Sequence, residues 1–344
     1  LQKKPDKILP NGFNVEEYPS LEKLSYYYTN NKKEMKRFLQ AYFEPYYDVE
    51  LEKDPRILFI SGRYEFHNKG VDLFIDALGD LNEREGDEFF VFFFIPAGVD
   101  GEKLEVLENI SLFEELEDYI DSVMPELRKN LLSSITSGKT PNRKISDVID
   151  ENGKAKSLKD NFHAKQGEKP PLAAYDLSYP DDSIMQALEK NNLTNAEDDR
   201  VKVVFYPSYL SVGDKMLNMS YQDAIVASSA GIFPSYYEPW GYTPVETAAN
   251  GALSITTDMA GFGQFLEEKT SPEERKGIKI LERQNQSYDE SKEDLADMVE
   301  DIVNYSKTDI TERKHNARKL AQLTSWQKLG ENYKEAHKKA VNDQ

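Results

Sequence analysis

Two stretches of the sequence combine glycine with charged side chains in a way that could bind an anion or a sugar. The first, Ser61 to Gly70, holds Arg63 and Lys69 beside the start of a helical pattern. A helix N-terminus favours an anion by about 0.3–1 kcal/mol, because its first N–H groups are free and its dipole is positive there. Arginine can add two parallel hydrogen bonds and lysine a point charge, so this stretch could hold a diphosphate. Two solvated cations on a surface loop fit the same residues equally well.

The second stretch, Phe233 to Glu246, carries two carboxylates with seven residues between them. Glu238 lies on a predicted loop, and Glu246 lies in the first two turns of a predicted helix. Thr243 is predicted to cap that helix, with Pro244 as its first residue. Both carboxylates can then face one crevice and accept the hydroxyl groups of a ribose or a hexose. Favourable placement of Glu246 near the helix dipole is the simpler structural explanation.

Short apolar strands that alternate with amphipathic helices predict a parallel sheet covered by helices on both faces. The predicted strands are Arg56 to Ser61, Phe89 to Pro96, Val201 to Tyr206, Gly231 to Pro234, Leu253 to Thr257 and Ile278 to Leu281. The predicted helices outside the long insertion are Asn30 to Phe43, Lys69 to Glu85, Tyr221 to Ala230, Thr243 to Asn250, Ser287 to Asn304, Thr311 to Leu323 and Ser325 to Val341. Ligands bind at the carboxyl ends of such strands, where both stretches lie.

The predicted sheet is interrupted by an insertion of different composition. Apolar residues recur at helical spacing from Leu104 to Leu131, which predicts one long helix with a kink at Pro125. The polar stretch from Ser137 to Pro171 is predicted to be a loop, and Asp182 to Asn191 a closing helix. The predicted domains are 1–50 as an interdomain segment and helix, 51–98 with 200–306 as the Rossmann-like domain, 99–199 as the helical insertion, and 307–344 as C-terminal helices.

Composition excludes several kinds of site. The chain has no cysteine and four histidines, none spaced as a zinc pair, so neither a disulfide nor a thiolate metal site can form. Its 43 basic and 62 acidic residues give a net charge of −19, which disfavours nucleic acid and anionic membranes as partners. Neither a membrane-length apolar run nor a signal peptide is recognisable, so we expect a cytoplasmic protein.

The run Phe233 to Glu246 closely resembles the F-P-S-Y-Y-E-P-W-G-Y-T-P-x-E signature of animal and fungal glycogen synthases. Gly62 to Gly70 is similar to the G-R-Y-E-[YF]-x-N-K-G of the same family. The resemblance covers nearly the whole chain and is weakest from Gly98 to Pro170. Further matches are Pro10-Asn11-Gly12, Arg200 to Phe205 with Pro207, Leu210, and Gly261-Phe262-Gly263.

The resemblance implies a GT-B fold of two Rossmann-like domains, of which this chain is the C-terminal, donor-binding half. It implies a retaining transfer of glucose from a nucleotide-glucose to the 4-hydroxyl of an α-1,4-glucan. Arg63 and Lys69 would then hold the diphosphate and the charge that develops on the leaving nucleotide. Glu238 would face the transferred glucose.

The resemblance also implies the remaining donor contacts. Glu246 would bind the ribose, and Tyr221 would stack on the base, although packing of Tyr221 within its helix is also open. Backbone N–H groups of Gly241, Tyr242 and Thr243 would cap the phosphates. The family needs neither a metal nor another cofactor, and the donor could be UDP-glucose or ADP-glucose.

Some residues depart from the family pattern. His67 stands where the eukaryotic enzymes usually carry lysine, and Tyr206 where they carry histidine. The family senses a sugar phosphate with an arginine-rich helix near the C-terminus, but the comparable Lys307 to Leu320 holds only Arg313 and Arg318. We therefore expect that glucose-6-phosphate does not control this protein.

The N-terminal half of the family is missing from this sequence, so we expect no transfer by the chain alone. Another GT-B glycosyltransferase remains an alternative, because one fold supports many donors and acceptors. An assembly module is the second alternative, in which the apolar stripe from Leu104 to Leu131 joins subunits into a homo-oligomer. The same stripe could pack on its own domain.

Overall fold

The computed structural model describes residues 7–48, 51, 54–137 and 153–342. At its centre lies a six-stranded parallel sheet, and a two-stranded sheet lies beside it. The strands are β1 (Arg56–Ser61), β2 (Phe89–Phe94), β3 (Val99–Glu102), β4 (Tyr175–Leu177), β5 (Val201–Phe205), β6 (Ala230–Ile232), β7 (Leu253–Thr257) and β8 (Ile278–Leu281). Each predicted strand is present, and the bounds predicted for β1, β7 and β8 are confirmed.

The strand order is β5-β2-β1-β6-β7-β8. From β1 the chain adds β2 and β5 on one side, and it then adds β6, β7 and β8 on the other side. The order therefore reverses between β1 and β6. In open α/β sheets, the loops at such a reversal diverge and leave a crevice at the carboxyl ends of the strands. The predicted doubly wound, Rossmann-like α/β sheet is confirmed.

Helices cover the sheet as α1 (Leu21–Phe43), α2 (Val71–Asn82), α3 (Leu104–Ser137), α4 (Lys154–Phe162), α5 (Ser183–Lys190), α6 (Tyr221–Ala227), α7 (Tyr242–Ala249), α8 (Gly261–Lys269), α9 (Tyr288–Asn304), α10 (Lys307–Ala321) and α11 (Trp326–Asn342). Alternate side chains of β1, β2 and β5 point to two separate apolar cores. One core packs against α2, α5 and α9, and the other against α1 and α6. Because both faces are buried, the central strands are mostly apolar, as in β2, where every residue is apolar and buried.

Helices α1 and α10 begin well before their predicted starts, and α8 was not predicted. Helix α1 begins nine residues before the predicted Asn30, and Tyr26 and Tyr27 in its first turns are exposed, so no apolar stripe marks that part. Helix α8 was not predicted, because Gly261 and Gly263 at its start disfavour a helix by sequence. Both glycines are needed for close packing: a Cβ on Gly263 would lie 2.0 Å from the carbonyl oxygen of Thr257.

The insertion is more ordered than predicted where it is described. Helix α3 continues through Pro125 to Ser137. The expected polar loop contains α4, whose Phe162 packs on Phe113 of α3 with ring centroids 5.9 Å apart. Residues 138–152 of that expected loop lie outside the described residues. Strands β3 and β4 pair across the insertion and return the chain to the sheet.

The first described residues run along the last helix. The backbone N–H of Phe13 donates to the carbonyl of Thr324 at 2.8 Å, and Tyr333 of α11 donates to the carbonyl of Pro10 at 3.3 Å. Gly12 lies against the indole of Trp326, since a Cβ there would lie 2.2 Å from the ring. Trp326 is nevertheless 48% exposed, while Leu329 is buried, so the apolar side chains at the start of α11 are only partly covered.

Candidate functional site

The two stretches singled out by sequence meet at the reversal of strand order. The first follows β1 and the second follows β6, and these strands are neighbours in parallel register, with Leu58 opposite Ala230. Parallel neighbours place their carboxyl ends at the same edge, so the loops must lie side by side. We call the region formed by residues 62–70 and 233–246 the switch-point cleft.

Close backbone packing fixes the two loops to each other. Gly70 has a φ of 68°, and a Cβ on it would lie 2.0 Å from the carbonyl oxygen of Pro234. The backbone N–H of Tyr236 donates to the carbonyl of Asn68 at 2.8 Å. Glycine is therefore required at position 70 both for the left-handed backbone and for the contact.

The contact between Lys69 and Glu238 joins the two loops through charged side chains. The ammonium donates a hydrogen bond to the carboxylate and forms an ion pair with it, although 169 positions separate the residues. Only 16% of the lysine side chain and 21% of the glutamate side chain are exposed. A shielded pair of this kind keeps a cation and an anion at the base of the cleft, where screening by solvent is weak.

Arg63 lies at the rim of the cleft. Its guanidinium donates to Glu65 at 2.8 Å, and 80% of the side chain is exposed. The structure therefore keeps Arg63 on the same loop as Lys69 but does not bring it into contact with Glu238. An exposed guanidinium on a long side chain can reach an anion in the cleft by exchanging Glu65 for it.

The helix after the second loop begins two residues earlier than predicted. Gly241, with a φ of 96°, is the N-cap residue of α7, so the prediction of Thr243 as N-cap and Pro244 as first residue is wrong. The left-handed backbone at Gly241 turns the chain into the helix without a capping side chain. The first N–H groups of a helix have no partner inside it, and here they belong to Tyr242 and Thr243. They begin four residues after Glu238 and form a point where an anion is favoured.

Glu246 lies on α7 next to two tyrosines. Burial raises the pKa of its carboxyl group. Burial, together with the carboxylates of Glu246 and Glu17, raises the pKa of Tyr18 to about 12. The pKa of Tyr221 is raised by burial and by the Glu246 carboxylate. The carboxylate of Glu246 is thus within electrostatic reach of two phenol groups that stay protonated at neutral pH and can donate hydrogen bonds.

Tyr221 connects this corner to the end of β1. Its hydroxyl lies 2.6 Å from the hydroxyl of Ser61, and its ring meets the edge of Phe59 at a centroid distance of 6.5 Å. The ring therefore packs against Phe59 of the sheet, and the hydroxyl points to the carboxyl end of β1. The structure places Tyr221 near both Glu246 and the first loop.

The sequence did not reveal the third loop that supports Glu238. The backbone N–H of Gly261 donates to the carbonyl of Glu238 at 3.0 Å, and that of Phe262 donates to Trp240 at 2.8 Å. A Cβ on Gly261 would lie 2.3 Å from the carbonyl oxygen of Pro239. The Gly261-Phe262-Gly263 motif was the available signal, because closely spaced glycines mark such backbone approaches.

A second cationic region lies between α1 and α10, away from these loops. It is a cavity of about 460 Å³, which we call the lysine cavity, and its charged lining residues are Lys32, Asp54, Arg56, Lys307, Lys314 and His315. The Lys32 ammonium donates to the carbonyl of Pro55 at 2.5 Å, and that of Lys314 to Ser228 at 2.9 Å. Burial lowers the pKa of Lys32 to about 8 and that of Lys314 well below its ordinary value.

The two arginines of α10 are engaged elsewhere. The Arg313 guanidinium stacks on the ring of Tyr305 at 3.9 Å and donates to the carbonyl of Lys276 at 3.0 Å. Arg318 is buried and donates to the carbonyl of Val15 at 3.0 Å. Neither arginine lines the lysine cavity.

The described residues contain neither a clustered metal site nor a membrane-spanning helix. Within those residues, no three His, Asp or Glu side chains come together as a metal site. No helix among them is both long and apolar enough to span a membrane.

The chain is similar to known proteins over its whole length. The family model described as glycogen synthase matches residues 1–344. Glycogen [starch] synthase of Caenorhabditis elegans is 30% identical over 99% of this chain and 52% of its own length. The human liver enzyme is 31% identical over 98% of this chain and 48% of its own, and isoform 1 of Saccharomyces cerevisiae 33% identical over 98% and 50%.

Among solved structures, sucrose-phosphate synthase from Thermosynechococcus elongatus has a TM-score of 0.44 at 15% identity, covering 98% of this chain and 53% of that one. The chain spans about half the length of the curated relatives it matches. The match of the family model to every residue establishes the family. This chain belongs to the glycogen synthase family.

Proposed function

We propose that this chain is the donor-binding half of a glycogen synthase that transfers glucose from UDP-glucose or ADP-glucose to the 4-hydroxyl of an α-1,4-glucan. The observation that carries the proposal is the Lys69–Glu238 pair, which lies at the reversal of strand order beside the N-terminus of α7. A cation, a carboxylate and free helix N–H groups in one cleft suit a ligand that has a diphosphate at one end and a sugar at the other.

The proposed roles follow from where each residue lies. Arg63, Lys69 and the first N–H groups of α7 hold the diphosphate. Glu238 accepts hydroxyl groups of the glucose, and its negative charge opposes the positive charge that develops at the anomeric carbon. Lys69 contacts Glu238 and can move its ammonium from that carboxylate toward the diphosphate as the bond to the sugar breaks.

The other end of the donor is proposed to lie along α7. Glu246 accepts the ribose hydroxyls, and Tyr221 contacts the base. The raised pKa of Glu246 fits a carboxylate that is desolvated and lacks a neighbouring cation, which a ribose diol can stabilise by hydrogen bonding.

In the proposed reaction, no metal or cofactor takes part. The bond between the anomeric carbon and the diphosphate oxygen breaks as the bond to the acceptor oxygen forms, on the same face of the sugar. The hydroxyl proton of the acceptor passes to the released nucleotide diphosphate. Arg63 and Lys69 stabilise the charge that appears on that leaving group.

We propose that a further N-terminal domain completes the cleft, and that the chain alone does not transfer glucose. Closure of two domains would exclude water and bring the acceptor to the donor. Elongation of a glucan by the purified 344-residue chain would contradict this part of the proposal. A cytoplasmic location, expected from the sequence, is also part of the proposal.

Assembly through α3 is a second, compatible proposal. The helix exposes Ile120, Met124 and Leu131, which recur at helical spacing, and Ile135 beyond them. Such a stripe can bind a second copy. Sedimentation that shows a strict monomer at high concentration would contradict it.

Calorimetric titration of the chain with UDP, ADP and GDP tests the donor proposal. We expect one nucleotide to bind in the micromolar to millimolar range, and Arg63→Ala to weaken it by about 10-fold or more, as loss of a charge-assisted hydrogen bond predicts. Arg128→Ala, at an exposed position of α3, is the matched control and should bind as the wild type. Equal binding by Arg63→Ala would contradict the proposed role of Arg63.

A further inference from the structure

An exposed aromatic surface borders the switch-point cleft. Tyr236 and Tyr237, the two residues before Glu238, are 51% and 59% exposed. His67, on the other loop, lies with its ring centroid 5.4 Å from that of Tyr236. We call these three side chains the tyrosine platform. None of them has a part in the donor contacts proposed above.

Contacts with Arg283 hold the Tyr236 part of the platform in place. The guanidinium of Arg283 lies 5.4 Å from the ring of Tyr236 and donates to the carbonyl of Pro234 at 2.5 Å. The backbone N–H of Arg283 donates to Asp258 at 2.8 Å, which ties the platform to the turn after β7. With its own N–H bonded to Asn68, Tyr236 loses little conformational freedom when a ligand binds.

Two ion pairs flank the platform, Arg63 with Glu65 and Lys69 with Glu238. The Nδ1 atom of His67 lies 2.6 Å from the Asp72 carboxylate. The surface therefore offers aromatic rings and hydroxyl groups beside these pairs. A neutral ligand with many hydroxyl groups fits this chemistry, because its C–H faces can cover the rings while its hydroxyls bond to the polar neighbours.

We infer that the tyrosine platform binds the acceptor end of an α-glucan, so that the donor half of the enzyme also contributes to acceptor binding. The inference rests on the proposed function. The acceptor hydroxyl must reach the anomeric carbon of a glucose held at Glu238, and Tyr237 is the residue next to Glu238 in the chain. A glucan that approaches from the rim of the cleft meets Tyr237 and Tyr236 before it meets the donor sugar.

The test is binding of maltoheptaose to the 344-residue chain, followed by NMR in the presence and absence of UDP. We expect Tyr237→Ala to weaken maltoheptaose binding at least about fivefold, the size expected for one aromatic contact, and to leave UDP binding unchanged. Tyr26→Ala, which removes a 69% exposed tyrosine on α1, is the matched control and should bind both ligands as the wild type.

The outcomes separate the inference from the proposed function. If the wild-type chain binds UDP but not maltoheptaose, or if Tyr237→Ala binds maltoheptaose normally, the inference is wrong and the donor site stands. An equal loss in Tyr26→Ala would also overturn it, because the effect would not be specific to the platform. If neither UDP nor maltoheptaose binds, the proposed function fails as well.

Discussion

The switch-point cleft and the lysine cavity both concentrate cations in a protein with a net charge of −19, yet they use them differently. In the cleft, Lys69 pairs with a carboxylate beside the free N–H groups of a helix. In the cavity, Lys32 and Lys314 donate to backbone carbonyls, the Lys32 ammonium lies 3.5 Å from the Asp54 carboxylate, and burial lowers the pKa of both lysines. The free helix N–H groups beside the ion pair, more than the number of cations, thus distinguish the cleft as a place to bind an anion.

The largest expected effect concerns the charged pair in the cleft. In a protein that joins this chain to the proposed N-terminal domain, we expect Glu238→Gln or Lys69→Met to lower the rate of glucose transfer by about 10²–10³-fold, as removal of one transition-state contact typically does. Steady-state kinetics with a nucleotide-glucose measures this. Glu268→Gln, at an exposed position of α8, is the control, and a rate within twofold of wild type for Glu238→Gln would break the comparison.

The next effect concerns the packing that builds the cleft. Gly70 and Gly153 share a φ of 68°, but a Cβ would meet the Pro234 carbonyl only at position 70, since Gly153 faces open space. We expect Gly153→Ala to lower the free energy of unfolding by about 1–2 kcal/mol for the backbone alone. Gly70→Ala should lose roughly 2–5 kcal/mol, because overpacking adds to that cost.

Urea unfolding followed by circular dichroism measures both glycine variants. Equal losses would show that the two loops are not packed as tightly as the structure has them. A larger loss at position 153 than at position 70 would contradict the account of the cleft directly.

A smaller effect is expected in the lysine cavity, and it depends on pH. The folded-state pKa of Lys32 is about 8, below the ordinary lysine value of 10.5, so the folded protein binds fewer protons than the unfolded chain between these values. The contribution of Lys32 should therefore increase the free energy of unfolding as the pH rises from 8 toward 10.5. The Asp54 carboxylate opposes part of the lowering of the Lys32 pKa.

Lys32→Met should flatten this pH dependence and raise the free energy of unfolding at pH 7 by roughly 1–3 kcal/mol, since one pKa unit corresponds to about 1.4 kcal/mol. Unfolding curves at several pH values measure the effect. Lys33→Met, at the exposed neighbouring position, is the control. A loss of stability in Lys32→Met at pH 7 would show that the cavity needs its charge.

No effect is expected from glucose-6-phosphate. Arg313 and Arg318, the only arginines of α10, stack on Tyr305 and hold the N-terminal segment, so neither is free to clamp a phosphate in the cavity. Transfer assays on the protein that includes the proposed N-terminal domain, with and without glucose-6-phosphate, measure this. Clear activation would mean that the lysines of the cavity replace the arginines, and the contrast with the cleft would then fail.

The sequence predicted the elements better than the contacts between them. The strands β1, β7 and β8 are short segments rich in apolar and β-branched residues, and their bounds were predicted correctly. Helix α8 was missed because its glycines serve close backbone contacts that sequence patterns do not reveal. The β3–β4 pairing was missed because it joins strands on either side of the insertion.

The candidate site was predicted only in part, because the contacts between its loops depend on the fold. Two loops at the ends of parallel strands could be expected to meet, but the pairing of Lys69 with Glu238 depends on which strands are neighbours. Thr243 was expected to cap α7 because threonine is a common capping residue, whereas Gly241 does so through its left-handed backbone. Tyr18 gave no signal, since it reaches Glu246 only through the fold of the first segment.

Hydrogen exchange of the 344-residue chain, measured by mass spectrometry with and without saturating UDP, shows whether the two loops form one donor site. We expect slower exchange in both loops of the switch-point cleft, residues 62–70 and 233–246, and unchanged exchange in the segments that line the lysine cavity, residues 24–32 and 307–315. Protection confined to the cavity segments, or to one loop of the cleft alone, would contradict the claim that the two loops form one donor site.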